Sequence, residues 1–482
     1  MASDRPNIVL ILTDQQRGDA LGIDGHPVLQ TPNLDWLAAT GARFGRAYSE
    51  CPSCVPARRT MMSGTAPAAN GAVGMGPDHD WAPPHLMAGE LTAAGYQTEM
   101  IGKSHVRGRG SSRWRYGFEH VQIADTSNGG DFAEWLADRG VRDHHAGYAH
   151  GVSSNAWVGR PHHLPEELMH TFWVVDRAIH FLEHRDDSHP FFLNLSFIDP
   201  HPPFTPPRHY YDRYIDRDLP APPVGDWALD MPGGPVPRKG VNPNAWYIDL
   251  DEHDRRCSQA AYYGMINFID DQIGRLLQVM RAELADTVFL FTADHGEMLG
   301  DHHMFRKCWP YEGSARVPFI VSGTQRDPLC SGVVSQAAVG LQDLMPTILD
   351  IAGAPIPDSV TGRSLLPVMR GEARTVREYL HGEHAGQYAH DLGQHYLTDG
   401  HRKYIWYSQT GREQLFDLDE DPQELCNLAP AGGAELNRWR SRLVDVLRDR
   451  PEGFVRDGAL STGRPHNLFI PGYDPTRMYP YL

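Results

Sequence analysis

Four apolar segments of this chain are each followed at once by polar side chains, and this pattern restricts the fold more than any other feature. The polar groups are Asp14-Gln15, Lys103 and His105, Asp199 and His201, and Asp294-His295. Nearly continuous apolar runs are typical of strands that are buried on both faces of a parallel sheet. Because the carboxyl ends of parallel strands lie along one edge, we expect these polar groups to meet there.

Segments with helical periodicity alternate with these strands. Apolar residues recur at helical spacing from Cys257 to about Leu284, and Pro165 to Glu183 shows the same pattern. Beyond about residue 370 the pattern changes to a hairpin around Gly411 and a helix over Glu435 to Arg448. We therefore predict an α/β fold: a large mixed, mostly parallel sheet flanked by helices, with a smaller C-terminal α+β domain built on an antiparallel sheet.

The length of 482 residues allows a main domain and a smaller one. We assign residues 1–370 to the catalytic α/β domain, 371–455 to the α+β subdomain and 456–482 to a tail. The tail lacks apolar periodicity, so we expect it to dock on its own chain or on a second subunit, which would give a homo-oligomer. The region from Pro202 to about Pro243 should lack regular structure in its interior, because proline removes backbone donors.

The charge balance constrains the partners. With 61 acidic and 44 basic residues the net charge is −17, which argues against a surface for nucleic acid or anionic lipid. A small anionic substrate then needs a local basic pocket, for which Arg58, Lys103 and Lys307 are candidates. The apolar run from Asn7 to Leu12 is too short for a secretory signal, and no segment approaches the length of a membrane span. Six scattered cysteines predict free thiols, and we expect a soluble cytoplasmic enzyme.

Cys54 stands at the start of a predicted helix, two residues before Pro56 and four before Arg58. The unpaired N–H groups and the positive dipole at a helix start stabilise a thiolate, a derived oxyanion or a bound anion. The alternative is a small buried cysteine near a helix start. Cys51 completes a C-x-x-C pair, but no second pair or close pair of histidines supports a zinc or redox site.

Asp14, Gln15 and Asp294 offer oxygen ligands at the expected sheet edge. Two carboxylates and an amide oxygen suit Ca²⁺ or Mg²⁺ better than zinc, and His295 would add a softer ligand. A divalent cation there would polarise an oxygen of a sulfate or phosphate ester. The alternative for Asp294 and His295 is a helix N-cap and its neighbour.

The C-x-P-x-R motif at Cys54 resembles the signature of the type I sulfatases of the alkaline phosphatase superfamily, which include arylsulfatases. In that family the cysteine is oxidised to formylglycine, and Cys51 lacks the Pro and Arg at the required offsets. The resemblance extends from Asn7 to Leu428. It also includes Thr13-Asp14-Gln15, Gly102-Lys103-Ser104-His105, Asp199-Pro200-His201, Asp294-His295-Gly296-Glu297, Lys307 and the hairpin from Lys403 to Leu418.

The resemblance implies a role for each of these site residues. The metal ligands that it implies are Asp14, Gln15, the modified Cys54, Asp294 and His295. The residues that it implies hold the nucleophile and the sulfate oxygens are Arg58, Lys103 and Lys307. The cation is one divalent ion, with Ca²⁺ favoured over Mg²⁺ or Mn²⁺.

The implied mechanism uses hydrated formylglycine as the nucleophile. One of its hydroxyls attacks sulfur while His201, with Lys307, protonates the departing alcohol oxygen. His105 then takes the proton of the second hydroxyl, and the hemiacetal expels sulfate; these roles suit imidazole near neutral pH. The implied partners are a small sulfate ester and, during maturation, a formylglycine-generating enzyme.

Two departures from the family pattern leave alternatives open. Many sulfatases have a second Asp in place of Gln15 and Asn in place of His295, and the pairing found here is similar to that of phosphonate monoester hydrolases. Those hydrolases tend to lack the lysine and histidine that this chain has at Lys103 and His105. The favoured substrates are therefore sulfate monoesters, with phosphonate monoesters or phosphodiesters as the alternative. A third hypothesis is a non-catalytic anion-binding protein with Cys54 as a thiol. Candidate contacts with the alcohol, alternatively solvated loop residues, are His162, His163, Glu383 and His384.

Overall fold

The computed structural model describes residues 5–474 and 476, except 77–79, 108–113, 125–129, 142–150, 233, 238–241, 324–331 and 475. Its strands are β1 (Asn7–Thr13), β2 (Gly41–Phe44), β3 (Ala47–Tyr48), β4 (Gln97–Gly102), β5 (His120–Ile123), β6 (Phe191–Ser196), β7 (Val236–Pro237), β8 (Ile248–Asp249), β9 (Thr287–Ala293), β10 (Arg316–Val317), β11 (Phe319–Ser322), β12 (Val333–Ser335), β13 (Val339–Gly340), β14 (Leu380–His384), β15 (Gln394–Thr398), β16 (Arg402–Tyr407), β17 (Glu413–Asp417), β18 (Val455–Arg456) and β19 (Ala459–Leu460).

Helices lie between these strands. The α-helices are α1 (Pro32–Ala39), α2 (Cys54–Ser63), α3 (Pro67–Asn70), α4 (Met87–Ala93), α5 (Asp131–Ala137), α6 (His170–His184), α7 (Arg208–Ile215), α8 (Glu252–Val279), α9 (Glu312–Ala315), α10 (Leu344–Ile351), α11 (Leu366–Met369) and α12 (Ala434–Leu447). Short 3-10 helices cover Gly22–Asp24, Glu166–Leu168, Ala228–Asp230, Met280–Ala282, Leu284–Asp286, Asp301–His303, Leu341–Asp343, His390–Leu392 and Ala429–Ala431. In the described part of the chain, no helix combines the length and the apolar character needed to cross a bilayer.

A mixed sheet in the order β12-β2-β11-β9-β1-β6-β4-β5 forms the centre of the fold. Its four central strands, β9, β1, β6 and β4, are parallel, whereas β11 is antiparallel to both β2 and β9. The parallel strands end at the same level, since Thr13 pairs with Ala293, and Leu12 and Gly102 both pair with Ser196. The predicted fold class is confirmed, and the four polar groups follow adjacent strands.

Helices cover both faces of this sheet, which explains the apolar character of β1. Ile8, Leu10 and Leu12 face one core that includes Met61 of α2 and Met345 of α10. The alternate residues Val9 and Ile11 belong to a second core with side chains of α6 and α8. Successive side chains of a strand point to opposite faces, so a strand between two helical layers must be apolar throughout.

The predicted C-terminal antiparallel sheet consists of β14, β15, β16 and β17 in that order. Trp439 and Leu443 of α12 pack against Tyr404 and Trp406 of β16 in a separate core. The domain boundary at residue 370 stays a prediction. The described part of the tail docks on its own chain, because Val73 donates to Leu468 O at 3.0 Å. An oligomer formed through the tail also stays a prediction.

Two expectations about secondary structure are wrong in detail. Helix α7 lies inside the proline-rich region, because the stretch between Pro207 and Pro220 contains no proline. Its Tyr210 and Tyr214 lie on one face and pack against α8, with which α7 makes ring contacts. The long helix α8 also begins before Cys257, since the Asp251 side chain accepts a hydrogen bond from Asp254 N and caps a polar first turn.

Candidate active site

Helix α2 begins at Cys54 directly beyond the carboxyl edge of the large sheet. Ser53 precedes it in an extended conformation, with φ −155° and ψ 151°, and Gly64 ends it in the left-handed conformation with φ 65°. All ten residues of the helix are buried. The sulfur of Cys54 therefore lies at the positive end of a helix that is itself enclosed by the protein.

Four potential metal ligands converge at this point. The ligand atoms of Asp14, Cys54, Asp294 and His295 all lie within 4.8 Å of one another. Cys54 Sγ is 3.3 Å from His295 Nε2 and 3.7 Å from Asp14 Oδ1. The His295 Nδ1 group donates to Gly296 O at 3.0 Å, so Nε2 faces the cluster. These donors fit a divalent cation, and the backbone contact sets the ring orientation as expected for a ligand histidine.

Gln15 is part of the same cluster, and its neighbours define the orientation of its amide. The Gln15 N–H donates to Asp294 Oδ1 at 3.1 Å, in a left-handed backbone conformation with φ 72°. The side-chain NH₂ group donates to Glu297 Oε2, while Oε1 accepts from Lys307 Nζ at 2.9 Å. Glu297 is fully buried and lies in the motif that begins at Asp294, but its role cannot be read from the sequence pattern.

Arg58 binds the two carboxylates of the cluster. Its Nε donates to Asp294 Oδ2 at 2.8 Å, and Nη2 lies 3.5 Å from Asp14 Oδ2. Nη1 donates to the Lys103 carbonyl at 2.8 Å and to Ser196 Oγ at 2.9 Å. In this structure Arg58 thus holds the carboxylates of Asp14 and Asp294, and no sequence pattern indicates its contact with Ser196.

Lys103 and His105 both reach Cys54. Lys103 Nζ contacts Asp14 Oδ2 and lies 4.0 Å from Cys54 Sγ, and the His105 side chain helps to lower the pKa of the Cys54 thiol. His105 has a left-handed backbone conformation with φ 43°. Gly102 is required at the strand end, since a Cβ there would lie 2.0 Å from the Ser196 carbonyl oxygen.

His201 and Lys307 form a pair next to Gln15. Lys307 Nζ and His201 Nε2 are 2.6 Å apart, and His201 Nδ1 is 2.7 Å from the Pro202 carbonyl. A carbonyl only accepts, so Nδ1 carries the proton and Nε2 accepts from the Lys307 ammonium. Burial and the charge of Lys307 lower the pKa of His201, which keeps the ring neutral.

Cationic side chains lie close to the sulfur of Cys54. Burial by itself raises the pKa of the Cys54 thiol, but the charges of Lys103, Lys307 and His295 outweigh burial and leave this pKa well below its usual value. The pKa of Asp14 is also lowered, against burial and the nearby Cys54, by Lys103 and other cations. Lys103 and Lys307 thus offer positive charge to a small anionic substrate within an acidic protein.

The four candidate contacts with the alcohol lie in two places. Glu383 and His384 are buried in β14, so their interpretation as solvated loop residues is wrong. His384 Nε2 lies 2.9 Å from Ser53 Oγ, next to Cys54, whereas Glu383 forms an ion pair with Arg450. His162 and His163 precede α6 and stack on each other with 4.5 Å between ring centroids.

The sheet, the cluster at its carboxyl edge and the helix that begins at Cys54 define a hydrolase of the alkaline phosphatase superfamily. The family model "Sulfatase" matches residues 6–354, and the model "N-sulphoglucosamine sulphohydrolase, C-terminal" matches residues 300–448. The chain therefore belongs to the sulfatase family, and it is a sulfuric ester hydrolase. The prediction that this protein is an enzyme that hydrolyses sulfate esters is confirmed.

The similarity to known proteins extends over almost the whole chain. An arylsulfatase of Clostridium perfringens is 38% identical, over 96% of this chain and 98% of the relative. A choline-sulfatase of Rhizobium meliloti is 31% identical, over 91% of this chain and 86% of the relative. The solved phosphonate monoester hydrolase of Agrobacterium radiobacter has a TM-score of 0.75 at 25% identity, covering 96% of this chain and 100% of the other.

Proposed function

We propose that this sulfatase uses formylglycine, formed from Cys54, as its nucleophile and one divalent cation as its cofactor. The observation that carries this proposal is the convergence of Asp14, Cys54, Asp294 and His295 within 4.8 Å at the start of α2. Because Cys54 is fully buried in the folded chain, we propose that a formylglycine-generating enzyme acts before folding is complete.

The proposed cation is Ca²⁺, held by a mainly oxygen ligand set. Asp14, Gln15, Asp294 and His295 would hold it, together with the oxygen that replaces the Cys54 sulfur. The bound cation would polarise a sulfate oxygen and offset the charge that develops during attack. Hard oxygen donors favour Ca²⁺, Mg²⁺ or Mn²⁺ over zinc, and the number of ligands favours Ca²⁺.

The surrounding side chains provide the proton transfers. The Lys307 ammonium donates a hydrogen bond to His201 Nε2 at 2.6 Å, so this pair can supply a proton to the departing alcohol oxygen. His105, in contact with position 54, is the proposed base for the second hydroxyl of the hydrated aldehyde. Lys103 is held beside Asp14 and is the proposed cation for the sulfate oxygens.

Mass analysis of the peptide that contains residue 54 tests the nucleophile. We expect the mass decrease that corresponds to replacement of the CH₂–SH group by an aldehyde, and loss of turnover in Cys54→Ala. Cys51→Ala is the matched control, because Cys51 is also buried but lies outside the cluster. A protein that carries an unmodified thiol at position 54 and still turns over sulfate esters would contradict the proposal.

A phosphonate monoester or phosphodiester activity is the second candidate function. The structural similarity to the Agrobacterium phosphonate monoester hydrolase supports it, as does the presence of Gln15 and His295. Comparison of kcat/KM for an aryl sulfate and an aryl phosphonate monoester separates the two. We expect the sulfate to be the better substrate, and faster phosphonate turnover would reverse the assignment.

An aromatic alcohol is the proposed leaving group. Tyr388 OH donates to the Lys307 carbonyl at 2.8 Å, and the Tyr388 ring stacks on Trp246 at 5.3 Å, so aromatic side chains flank the proposed acid. The arylsulfatase relative supports this choice. Aryl sulfate should have a higher kcat/KM than choline sulfate, and Trp246→Ala should reduce that preference. A preference for choline sulfate would contradict the proposal.

We propose that the enzyme works in the cytoplasm. The described cysteines, Cys51, Cys54, Cys257, Cys308 and Cys426, are free thiols, which suits a reducing compartment. Cys330 lies outside the described residues. Fractionation of the native host tests the location, and recovery of the activity outside the cell would contradict it.

A further inference from the structure

A second cluster of metal-binding side chains lies in the C-terminal sheet, away from the Cys54 site. His381 and Glu383 are two residues apart on β14, and Glu383 pairs directly with His395 of β15. Side chains two apart on a strand share a face, and so do directly opposed residues of paired strands. The register therefore places all three on one face of the sheet, and their ligand atoms lie within 4.8 Å of one another.

His466, from the C-terminal tail, adds a fourth donor. Glu383 Oε2 lies 3.7 Å from both His395 Nδ1 and His466 Nε2, and His395 Nδ1 lies 3.2 Å from His381 Nε2. In a tetrahedral zinc site with Zn–N bonds of about 2.0 Å, neighbouring ligand atoms are about 3.3 Å apart. The separations of 3.2 Å between His381 and His395 and of 3.7 Å between His395 and Glu383 are close to this spacing, and His466 contacts this group of three through Glu383.

The imidazole rings of this cluster have the protonation state and the orientation that a metal ligand needs. His466 is 5% exposed, and its Nε2 is buried without a hydrogen-bond partner in the described structure. The other ring nitrogen of His466 lies 3.1 Å from Ser408 Oγ, which is the outer contact that orients a ligand histidine. Burial lowers the pKa of His381 to about 4 and that of His395 well below its usual value, so both rings are neutral near pH 7.

The charge around the cluster also accommodates a cation. Arg450 binds Glu383 through two hydrogen bonds of 2.7 and 3.0 Å, but it also binds Glu452 at 2.7 Å. The three charged groups leave one net negative charge beside three neutral imidazoles. Trp406 and Phe454 pack against His395 and enclose the cluster.

We propose that His381, Glu383, His395 and His466 bind a second, structural metal ion, Zn²⁺ by ligand type. Three imidazoles and one carboxylate suit zinc better than Ca²⁺ or Mg²⁺. The ion ties the tail to strands β14 and β15. These strands also support the start of α2, since Glu383 N donates to Glu50 O at 2.7 Å and His384 contacts Ser53. The site fixes the wall of the catalytic pocket and takes no part in the reaction.

Zinc stoichiometry of the full-length enzyme tests this site. The protein is stripped by chelator dialysis, titrated with Zn²⁺ and desalted, and bound zinc is counted by mass spectrometry. The double variant His381→Gln/His395→Gln should bind one equivalent less than the wild type. His401→Gln is the matched control, because His401 is exposed on the same sheet and pairs with Asp419.

The catalytic site is distinguished by Asp14→Asn/Asp294→Asn, which should lose only the equivalent bound near Cys54. The far-UV circular dichroism of each variant is compared with that of the wild type. If the histidine variant does not fold, anomalous diffraction at the zinc edge from wild-type crystals replaces it. A peak between His381, Glu383, His395 and His466 supports the proposal. An unchanged stoichiometry in the folded variant, or the absence of this peak, overturns it.

Discussion

At the residue scale, the site depends on buried groups that orient the ligands. Glu297 is the clearest case, because its Oε2 accepts the Gln15 NH₂ group while Oε1 accepts the Leu299 N–H at 3.0 Å. The Gln15 oxygen is thereby turned to Lys307 and the proposed metal. Without this acceptor, the contact with Lys307 remains to hold the amide in this orientation, and the flipped amide would present NH₂ to a cation.

Glu297→Gln should therefore weaken metal binding. Outer contacts of this kind are typically worth about 10–100-fold in metal affinity or activity. The measurement is a titration of the chelator-treated enzyme with Ca²⁺, followed by activity on an aryl sulfate. Glu252→Gln, on the exposed first turn of α8, is the control and should behave as the wild type. Wild-type affinity in Glu297→Gln would refute the orienting role.

His201→Gln isolates the protonation of the leaving group. The loss of a general acid costs about 10²–10⁴-fold when the departing group is basic. An activated phenol leaves without protonation, so the variant should lose far more kcat on an alkyl sulfate than on a nitrophenyl sulfate. The ratio of the two losses is the readout. Equal losses on both substrates would show that His201 contributes only to structure or binding.

At the scale of elements, Glu50 joins the segment before α2 to the helical turn before α10. Its carboxylate accepts the N–H groups of Leu341 at 3.0 Å and Gln342 at 3.1 Å. Burial, together with the nearby Asp343, raises the pKa of Glu50 to about 7. Protonated Glu50 is therefore the more stable form in the folded protein over much of the acidic range.

Glu50 should make the enzyme less stable as the pH rises from about 4.5 to about 7. In this window the folded state binds more protons than the unfolded state, so the free energy of unfolding falls with increasing pH. A pKa shift of this size corresponds to a change of about 3 kcal/mol in the free energy of unfolding. Glu50→Gln should flatten that part of the curve from urea unfolding. An unchanged pH dependence in the variant would contradict this prediction.

At the scale of the whole molecule, buried ion pairs join the two sheets. Lys403 of β16 is fully buried and donates to Glu312 Oε1 at 2.6 Å and to Glu424 Oε1 at 3.0 Å. Glu312 begins α9, which leads through β10 into β11, a strand of the large sheet. The C-terminal sheet is thus anchored to the chain segment that follows Lys307.

Lys403→Met should destabilise the protein strongly, because the buried Glu424 loses its lysine partner, whereas Glu312 keeps its contacts with Arg316 and Arg46. Removal of one partner of a buried ion pair costs about 3–5 kcal/mol. Arg402→Met is the neighbouring control; its pair with Asp417 is partly exposed and should be worth about 1 kcal/mol or less. The free energy of unfolding in urea gives both values. Equal effects of the two substitutions would argue against the anchoring role.

The sequence by itself determined the fold class, the position of four polar groups at the ends of strands and the place of Cys54 at a helix start. These are local properties, because strand burial, helix periodicity and helix starts depend on neighbouring residues. The family resemblance added the proposed roles of Lys103, His105, His201 and Lys307. The structure brings these side chains to one cluster.

Only the tertiary structure decided which polar groups face one another. Arg58 binds Asp14 and Asp294, Glu297 holds Gln15, and His384 reaches Ser53 across 331 positions of the chain. The cluster of His381, Glu383, His395 and His466 likewise depends on strand register and on where the tail docks. Such contacts join residues that are distant in sequence, so they follow from the packing of elements and have no local pattern.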